Sequence, residues 1–222
     1  MTPRHLLSGA IACLVPVILA GNALLVLAWG WLQRAVYALP GFPGGGDLAG
    51  DARLALARTG IDAIQPWDGD GMDALRAARL PDGAAAFGAR EVSHMHDVRG
   101  VVTALLIVWA VAVVLLAITW VATRARPADR AALHRGLWWG AVAAIGLLAL
   151  AALFLLTAFD ATFTAFHGLF FEGDSWRFGS DDTLRMLYPD AFWGVAGTAL
   201  ALLTIAQAVA LAAVSRKRRL SA

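Results

Sequence analysis

The sequence contains little cysteine and little charge. Its 222 residues include one Cys, and 15% of them are Asp, Glu, Lys or Arg, whereas 59% are apolar. Soluble domains carry about 25% charged residues, so this composition predicts a protein that is partly solvated by lipid. Cys13 has no second cysteine with which to form an intrachain disulfide, and its apolar surroundings predict a small buried side chain.

Several chemical motifs are also missing from the sequence. There is no CxxC pair, no glycine-rich phosphate loop and no GxSxG serine motif. These absences argue against a zinc ribbon, a nucleotide enzyme and a serine hydrolase. We therefore predict no cofactor, no metal and no nucleic-acid partner, and nothing in the sequence indicates more than a monomer.

Four continuous apolar segments are long enough to cross a bilayer, which needs about 20 helical residues. Their runs do not alternate as strands would, and lipid leaves helices as the remaining way to satisfy the backbone. The sequence predicts an all-α membrane protein with four transmembrane helices and a small extracytoplasmic cap, forming a single membrane domain over residues 1–222. The predicted spans are residues 6–32, 101–123, 137–158 and 192–214.

The basic residues predict the orientation in the membrane. Arg4, the arginines between residues 124 and 135, and the Arg216–Arg219 tail all fall on one side of a four-helix topology. The positive-inside rule places that side in the cytoplasm, together with both termini. We therefore predict a multi-pass protein of the bacterial cytoplasmic membrane, and we interpret the basic tail as a topology signal.

The outer segments, residues 39–100 and 160–191, carry fifteen of the sixteen carboxylates. Short helices are predicted from Asp51, as a cap, to Arg58 with an end at Gly60, and over residues 72–78. From about Ala84 the sequence predicts a helix that continues into the second span. Asn22, inside the first span, is predicted to face another helix.

Two histidines stand at similar positions beyond the ends of predicted spans. His94 lies seven residues before Val101, and His167 lies eight residues after Phe159. On helices both imidazoles would lie about 10 Å beyond the hydrocarbon, where lipid ester groups are found. Aromatic residues surround His167 so densely that, if one helix carries them all, it must be buried on every side. These residues predict a confined apolar pocket; they are Phe163, Phe166, Phe170, Phe171 and Trp176.

Glu91 and Asp97 flank His94, and either carboxylate could fix the tautomer of a histidine. A metal site is an alternative interpretation, because His94, His96, His167 and the two carboxylates are suitable ligand types. However, His94 and His96 point to different faces of a helix and cannot chelate together. Two alternatives are kept: a metal-dependent membrane hydrolase, and a non-enzymatic sensor or assembly factor with a ligand-binding cap.

Four groups of residues in and after the two histidine clusters form a recognisable pattern: Glu91-x-x-His94-Met95-x-Asp97-Val98, Phe166-His167-x-x-Phe170-Phe171-x-x-Asp174-x-Trp176, Asp182-x-Leu184 and Pro189-x-x-Phe192. This pattern resembles that of the lipoprotein intramolecular transacylase family of bacterial membrane proteins. Most of the segment from Leu39 to Arg90 carries no matching motif.

The resemblance implies four spanning helices, an extracellular cap, and an active site where the cap meets the membrane. It implies that an acyl chain moves from the sn-2 position of a diacylglyceryl-modified cysteine to the α-amine of the same cysteine, which gives a lyso-form lipoprotein. The substrate would be the lipid-modified N-terminus of a lipoprotein, in contact with membrane lipid. His94 and His167 are then the predicted catalytic residues, and the predicted substrate-binding residues are Glu91, Met95, Asp97, Phe163, Phe166, Phe170, Phe171, Asp174 and Trp176.

Overall fold

The computed structural model describes residues 2–28, 31–39, 42, 48 and 50–220, and its regular elements are helices. An isolated antiparallel bridge pairs Arg79 with Ala85. The helices are α1 Pro3–Leu27, α2 Trp31–Tyr37, α3 Gly50–Ala63, α4 Gly71–Ala77, α5 Ala89–Thr123, α6 Pro127–Thr157, α7 Phe159–Gly168, α8 Thr183–Leu187 and α9 Asp190–Leu220.

Four of these helices, α1, α5, α6 and α9, are long and apolar enough to cross a membrane. The predicted all-α membrane protein with four spanning helices is therefore confirmed. Helix α1 ends at Leu27, short of the predicted limit at residue 32, and Trp31 begins the separate helix α2. Helix α5 begins at Ala89, not near Ala84, because the preceding residues form a turn in which the Leu80 N–H donates to the Ala84 carbonyl over 2.9 Å.

The chain divides into two units. The first comprises the described residues of Met1–Leu25, Leu105–Phe159 and Ala199–Ala222. Glycines bring its helices close together: a Cβ on Gly140 would lie 2.5 Å from Val15 Cβ. Its core consists of small and branched apolar side chains from three helices: Ile11, Val15, Leu19, Leu133, Ala141, Ala144 and Ala208.

A hydrogen-bonded network crosses the first unit between three spanning helices. Asn22 donates to Gln207 Oε1 over 3.0 Å and accepts from Trp109 Nε1 over 3.1 Å. The prediction that Asn22 faces another helix is confirmed, since a polar side chain in lipid needs such partners. Cys13 is exposed on the surface of the unit; the prediction that it is buried is wrong, because only one side of α1 faces the core.

The second unit comprises the described residues of Val26–Ala104 and Asp160–Thr198. Helix α3 begins at Gly50, so Asp51 lies in its first turn, and the helix continues through Gly60 to Ala63. Gly60 does not end the helix as predicted; it makes room for Tyr188, whose hydroxyl would lie 2.6 Å from a Cβ there. That hydroxyl donates to the Ala57 carbonyl over 2.6 Å. The predicted short helix over residues 72–78 is confirmed as α4.

Candidate active site

His94 lies on the polar first turns of α5, outside the part of the helix that crosses the membrane. Helix α5 has 35 residues and is about 52 Å long at 1.5 Å per residue, far longer than the hydrocarbon core of about 30 Å. Its uncharged part begins after Arg99 and covers residues 101–123. The charged turns that carry His94 therefore lie beyond the spanning segment.

Aromatic rings enclose the His94 imidazole. Its ring centroid is 4.9 Å from that of Phe171 and 5.2 Å from that of Phe178. Its Nδ1 is buried and has no hydrogen-bond partner among the described residues. Burial, the largest cause, and charge repulsion from His167 together lower the pKa of His94 to about 4, while Asp97 opposes this shift. His94 is therefore neutral near pH 7.

His167 is held in a defined tautomer by the backbone of its own helix. Its Nδ1 lies 2.8 Å from the carbonyl oxygen of Phe163, four residues earlier on α7. A carbonyl oxygen can only accept, so Nδ1 carries the proton. Burial lowers the pKa of His167, and the hydrogen bond to Phe163 opposes this shift. The neutral ring therefore has its lone pair on Nε2, the nitrogen that a base uses.

One aromatic cluster joins the two histidines. The Phe171 ring that contacts His94 lies 5.7 Å from the ring of His167, and Trp176 stacks on His167 at 4.5 Å with an interplanar angle of 27°. Phe163, Phe171 and Trp176 are half-buried. The structure thus places two sequence-distant imidazoles around a shared apolar wall; their catalytic role stays a prediction.

Glu91 has a different position from the one expected. Its carboxylate is buried and accepts hydrogen bonds of 2.7 Å from the N–H groups of Gly88 and Leu184. Burial raises the pKa of Glu91, and these two hydrogen bonds oppose the rise. Glu91 was one of two carboxylates that could fix a histidine tautomer, and its two oxygens bind backbone amides instead. The carboxylate instead fastens the start of α8 to the turn of α5 that precedes His94.

The other polar residues predicted for the site are more peripheral. Asp97 is exposed and lies 4.0 Å from Nδ1 of exposed His96, and Met95 is buried. Asp174 is exposed and forms a 3.0 Å ion pair with Arg177. Among the described residues, no group of three or more His, Cys, Asp or Glu side chains lies close enough to hold a metal ion, so the geometry gives the metal interpretation no support.

The aromatic residues around His167 do not form one buried helix. Helix α7 ends at Gly168, and Phe170 and Phe171 follow it in a turn in which the Phe170 N–H donates to the His167 carbonyl over 3.0 Å. No residue of α7 is buried, and Phe166 and Phe170 are 54% and 42% exposed. The prediction of a helix buried on every side is wrong, because the chain turns before the later phenylalanines.

Sequence reasoning missed Phe178, which packs edge-on against His94. The guanidinium of Arg90 lies 5.1 Å from the Phe178 ring centroid and pairs with Asp182 over 3.1 Å. The only signal in the sequence was that the aromatic run continues two residues beyond Trp176. That signal does not indicate which histidine Phe178 approaches.

A family model described as "Lipoprotein intramolecular transacylase Lit" matches residues 71–193, which is more than half of the chain and includes both histidines. An uncharacterized protein of Aquifex aeolicus is 32% identical over 150 residues, which make up 64% of this chain and 62% of that protein. The match therefore spans less than two thirds of the length of this relative.

Solved structures with the same fold come from Bacillus cereus. A histidine-to-arginine variant of its membrane integral lipoprotein intramolecular transacylase Lit aligns with a TM-score of 0.74 and 16% identity, covering 97% of this chain and 91% of that chain. A further structure of that protein gives 0.72 and 17%, covering 97% and 95%. At these identities the likeness shows the fold, whereas the match to the family model identifies the family. This chain belongs to the lipoprotein intramolecular transacylase family.

Proposed function

We propose that this protein is a lipoprotein intramolecular transacylase. It moves the sn-2 acyl chain of a diacylglyceryl-modified N-terminal cysteine to the α-amine of the same cysteine and leaves a lyso-form lipoprotein. The observation that carries this proposal is the pair of neutral imidazoles, His94 and His167, on one aromatic cluster within a member of this family.

The two imidazoles have different roles because their protons are held differently. The hydrogen bond from His167 Nδ1 to Phe163 leaves Nε2 as an acceptor, which suits a general base. Nδ1 of His94 is enclosed without a partner among the described residues, and an unsatisfied N–H is the less tolerable state of a buried nitrogen. We therefore place the His94 proton on Nε2, which makes that atom a hydrogen-bond donor.

The reaction then balances without any further reactant. The α-amine attacks the ester carbonyl carbon, a C–N bond forms, and His167 Nε2 takes a proton from the amine. The Nε2–H of His94 donates to the carbonyl oxygen as negative charge develops on it. The C–O bond breaks, His167 returns its proton to the glyceryl oxygen, and the products are an amide and a free hydroxyl.

The aromatic side chains favour transfer over hydrolysis. Water would compete with the amine for the ester carbonyl. The rings of Phe171 and Trp176 beside His167 offer a water molecule few polar contacts. Because nucleophile and ester belong to one molecule, the enzyme has only to hold them in a reactive geometry. This requirement fits a site with two polar catalytic groups and otherwise apolar walls.

The site is expected on the outer face of the cytoplasmic membrane, with both termini in the cytoplasm. Arg4, the arginines of residues 124–135 and the Arg216–Arg219 tail support this orientation through the positive-inside rule. The carboxylate-rich segments that carry His94 and His167 would then lie outside, where a lipoprotein presents its acylated N-terminus.

Mass spectrometry with isotopically labelled lipopeptides tests the proposal. Purified protein in bilayers is incubated with a mixture of two diacylglyceryl-cysteine peptides, one labelled in the peptide and the other in the sn-2 acyl chain. Intramolecular transfer leaves each intact mass unchanged, and fragmentation then locates the acyl group on the α-amine. An unmodified α-amine after incubation would refute the activity, and exchange of label between the two peptides would refute the intramolecular route.

A further inference from the structure

One aromatic ring links His94 to a charged side chain that the mechanism above does not use. Arg90 and His94 are four residues apart on the first turns of α5, so their side chains leave the same side of the helix. The centroid of the Phe178 ring is 5.1 Å from the guanidinium carbon of Arg90. It is also 5.2 Å from the centroid of the His94 imidazole, which it meets edge-on at an interplanar angle of 64°. Phe178 therefore packs against two adjacent turns of α5 at once.

The backbone that follows Phe178 holds this ring in place. Oδ2 of Asp182 accepts a hydrogen bond of 2.7 Å from the N–H of Gly179, the residue directly after Phe178. The same oxygen accepts a hydrogen bond of 3.1 Å from Arg90, 92 residues away in the sequence. The Arg90 side chain is 57% exposed, and an exposed ion pair contributes little to stability. Its effect is geometric, because one carboxylate oxygen fixes both the guanidinium over the ring and the backbone that carries the ring.

His94 depends on packing for its orientation, whereas His167 does not. A hydrogen bond from Nδ1 to the Phe163 carbonyl fixes the ring of His167. Nδ1 of His94 is buried and has no such partner among the described residues. The rings of Phe171 and Phe178 lie against His94 instead. Because Phe171 also contacts His167, Phe178 is the one of the two rings that can orient His94 independently of His167.

The orientation of His94 matters because its Nε2–H is the proposed donor to the developing oxyanion. Such a donor stabilises the transition state only when it points at the place that the oxygen then occupies. A displacement of about 1 Å can lower a rate about 100-fold. Rotation of the imidazole away from Phe178 would move Nε2 and leave the bound substrate in place, so kcat should fall while KM stays nearly constant.

We propose that Phe178, held in place by Arg90 and Asp182, is a positioning residue that sets the orientation of the His94 imidazole for acyl transfer. The orientation of the imidazole stands on the contacts described above. Its consequence for acyl transfer rests on the proposed function.

Nuclear magnetic resonance of the histidine side chains tests the positioning without requiring activity. Protein with isotopically labelled histidine is purified in detergent, and His94→Ala identifies the signal of His94. Arg90→Gln is expected to shift that signal, because the Phe178 ring moves when it loses its guanidinium partner. In a Phe178→Leu background, Arg90→Gln should cause no further shift, since residues that act through one contact are not additive.

Arg177→Gln is the matched control for this measurement. The Arg177 side chain is 56% exposed and forms an ion pair with Asp174 over 3.0 Å. Its guanidinium carbon lies 4.9 Å from the ring centroid of Trp176, which stacks on His167. The substitution therefore removes an equally exposed charge and a similar ring contact, and it should leave the His94 signal unchanged.

Two outcomes of the resonance experiment would overturn the positioning role. One is a His94 signal that Arg90→Gln does not shift. The other is a shift of the same size with and without the Phe178 ring, which would mean that Arg90 acts on His94 directly. If Arg90→Gln does not give folded protein, Asp182→Asn breaks the same ion pair and its result is read in the same way.

The kinetics of acyl transfer test the consequence of this positioning. Phe178→Leu keeps an apolar side chain without the ring, and it should lower kcat about tenfold or more while KM changes by less than about twofold. Arg90→Lys keeps a cation for the ring and for Asp182, and it should retain kcat within about threefold. A rise in KM at unchanged kcat in Phe178→Leu would make Phe178 a substrate contact and overturn its positioning role. If the unmutated protein converts no diacylglyceryl lipopeptide, the proposed function fails, whereas the resonance experiment still decides whether Phe178 orients His94.

Discussion

The substitution Glu91→Gln separates the role of the carboxylate in the fold from the catalytic groups. Glu91 is 4% exposed, and its carboxylate accepts two backbone hydrogen bonds of 2.7 Å. The glutamine amide has the same shape but only one acceptor oxygen, so it can accept a hydrogen bond from the N–H of either Gly88 or Leu184. Its NH2 group then faces the remaining N–H, to which it cannot form a hydrogen bond. Losing one hydrogen bond to a buried charged group costs about 1.5–3 kcal/mol.

In a chain of this length about 1 kcal/mol shifts the midpoint of thermal unfolding by about 2–4 °C. We therefore expect Glu91→Gln to lower the midpoint by about 3–12 °C, measured by intrinsic tryptophan fluorescence of the purified protein in detergent. Transfer activity is measured well below the unfolding transition. Its kcat should fall, because the substitution displaces the turn that precedes His94. The acid limb of the pH profile should stay unchanged, because the ionisation of the histidines is left intact.

Asp182→Asn is the matched control for this measurement. Asp182 also accepts a backbone hydrogen bond, from Gly179 over 2.7 Å, and pairs with Arg90. The Asp182 side chain is 32% exposed, so water can replace the interactions that the asparagine does not form. We therefore expect Asp182→Asn to lower the free energy of unfolding by less than about 1 kcal/mol. A midpoint shift for Glu91→Gln no larger than the shift for this control would refute the argument that Glu91 fastens α8 to α5.

Three further predictions concern the histidines and the topology. His94→Ala and His167→Ala should each abolish transfer in protein that is still membrane-inserted, and the double variant should lose little more, because the residues act as one unit; His96→Ala should stay active, and full activity in either of the first two would remove the mechanism. Burial lowers the pKa of His167, the proposed base, below its ordinary value of 6.5. His167 therefore stays neutral until the pH falls below 6.5. As the pH is lowered from the pKa of the substrate amine, about 7.7–8.0, to 6.5, kcat/KM should fall tenfold per pH unit because the amine becomes protonated. Protonation of His167 should add a second tenfold dependence only below pH 6.5. An onset of this second dependence above pH 6.5 would contradict the lowered pKa of His167. In a background without the native cysteine, a cysteine at Gly179 should react with an impermeant thiol reagent outside spheroplasts and one at Ala128 only after permeabilisation; the reverse pattern would place the histidines in the cytoplasm.

The four spanning helices could be predicted because each is specified by local sequence. A continuous apolar run of about 20 residues has one solution in lipid, since the backbone must satisfy its own hydrogen bonds. The same reasoning predicted that Asn22 would face another helix, because an amide in hydrocarbon needs a partner. It could not identify Gln207 and Trp109 as those partners, since the choice depends on how the helices pack.

The candidate site was only partly specified by local sequence. His94 and His167 could be singled out from their distance to the ends of the apolar runs. The roles of the neighbouring residues depend on contacts across long sequence separations. Glu91 binds the amide of Leu184, 93 residues away, and no local pattern around Glu91 indicates that bond.

Helix boundaries in the second unit were likewise decided by tertiary contacts. Gly60 looked like the end of a helix, but the packing of Tyr188 makes a glycine useful in mid-helix. The phenylalanines after Gly168 looked helical, but the chain turns there and leaves Phe171 between the histidines and Phe170 exposed. By itself the sequence determined which segments must be helical in lipid and which residues carry reactive groups. The tertiary structure alone decided which groups face each other, because hydrogen bonds and ring contacts between distant segments form only when the chain has folded.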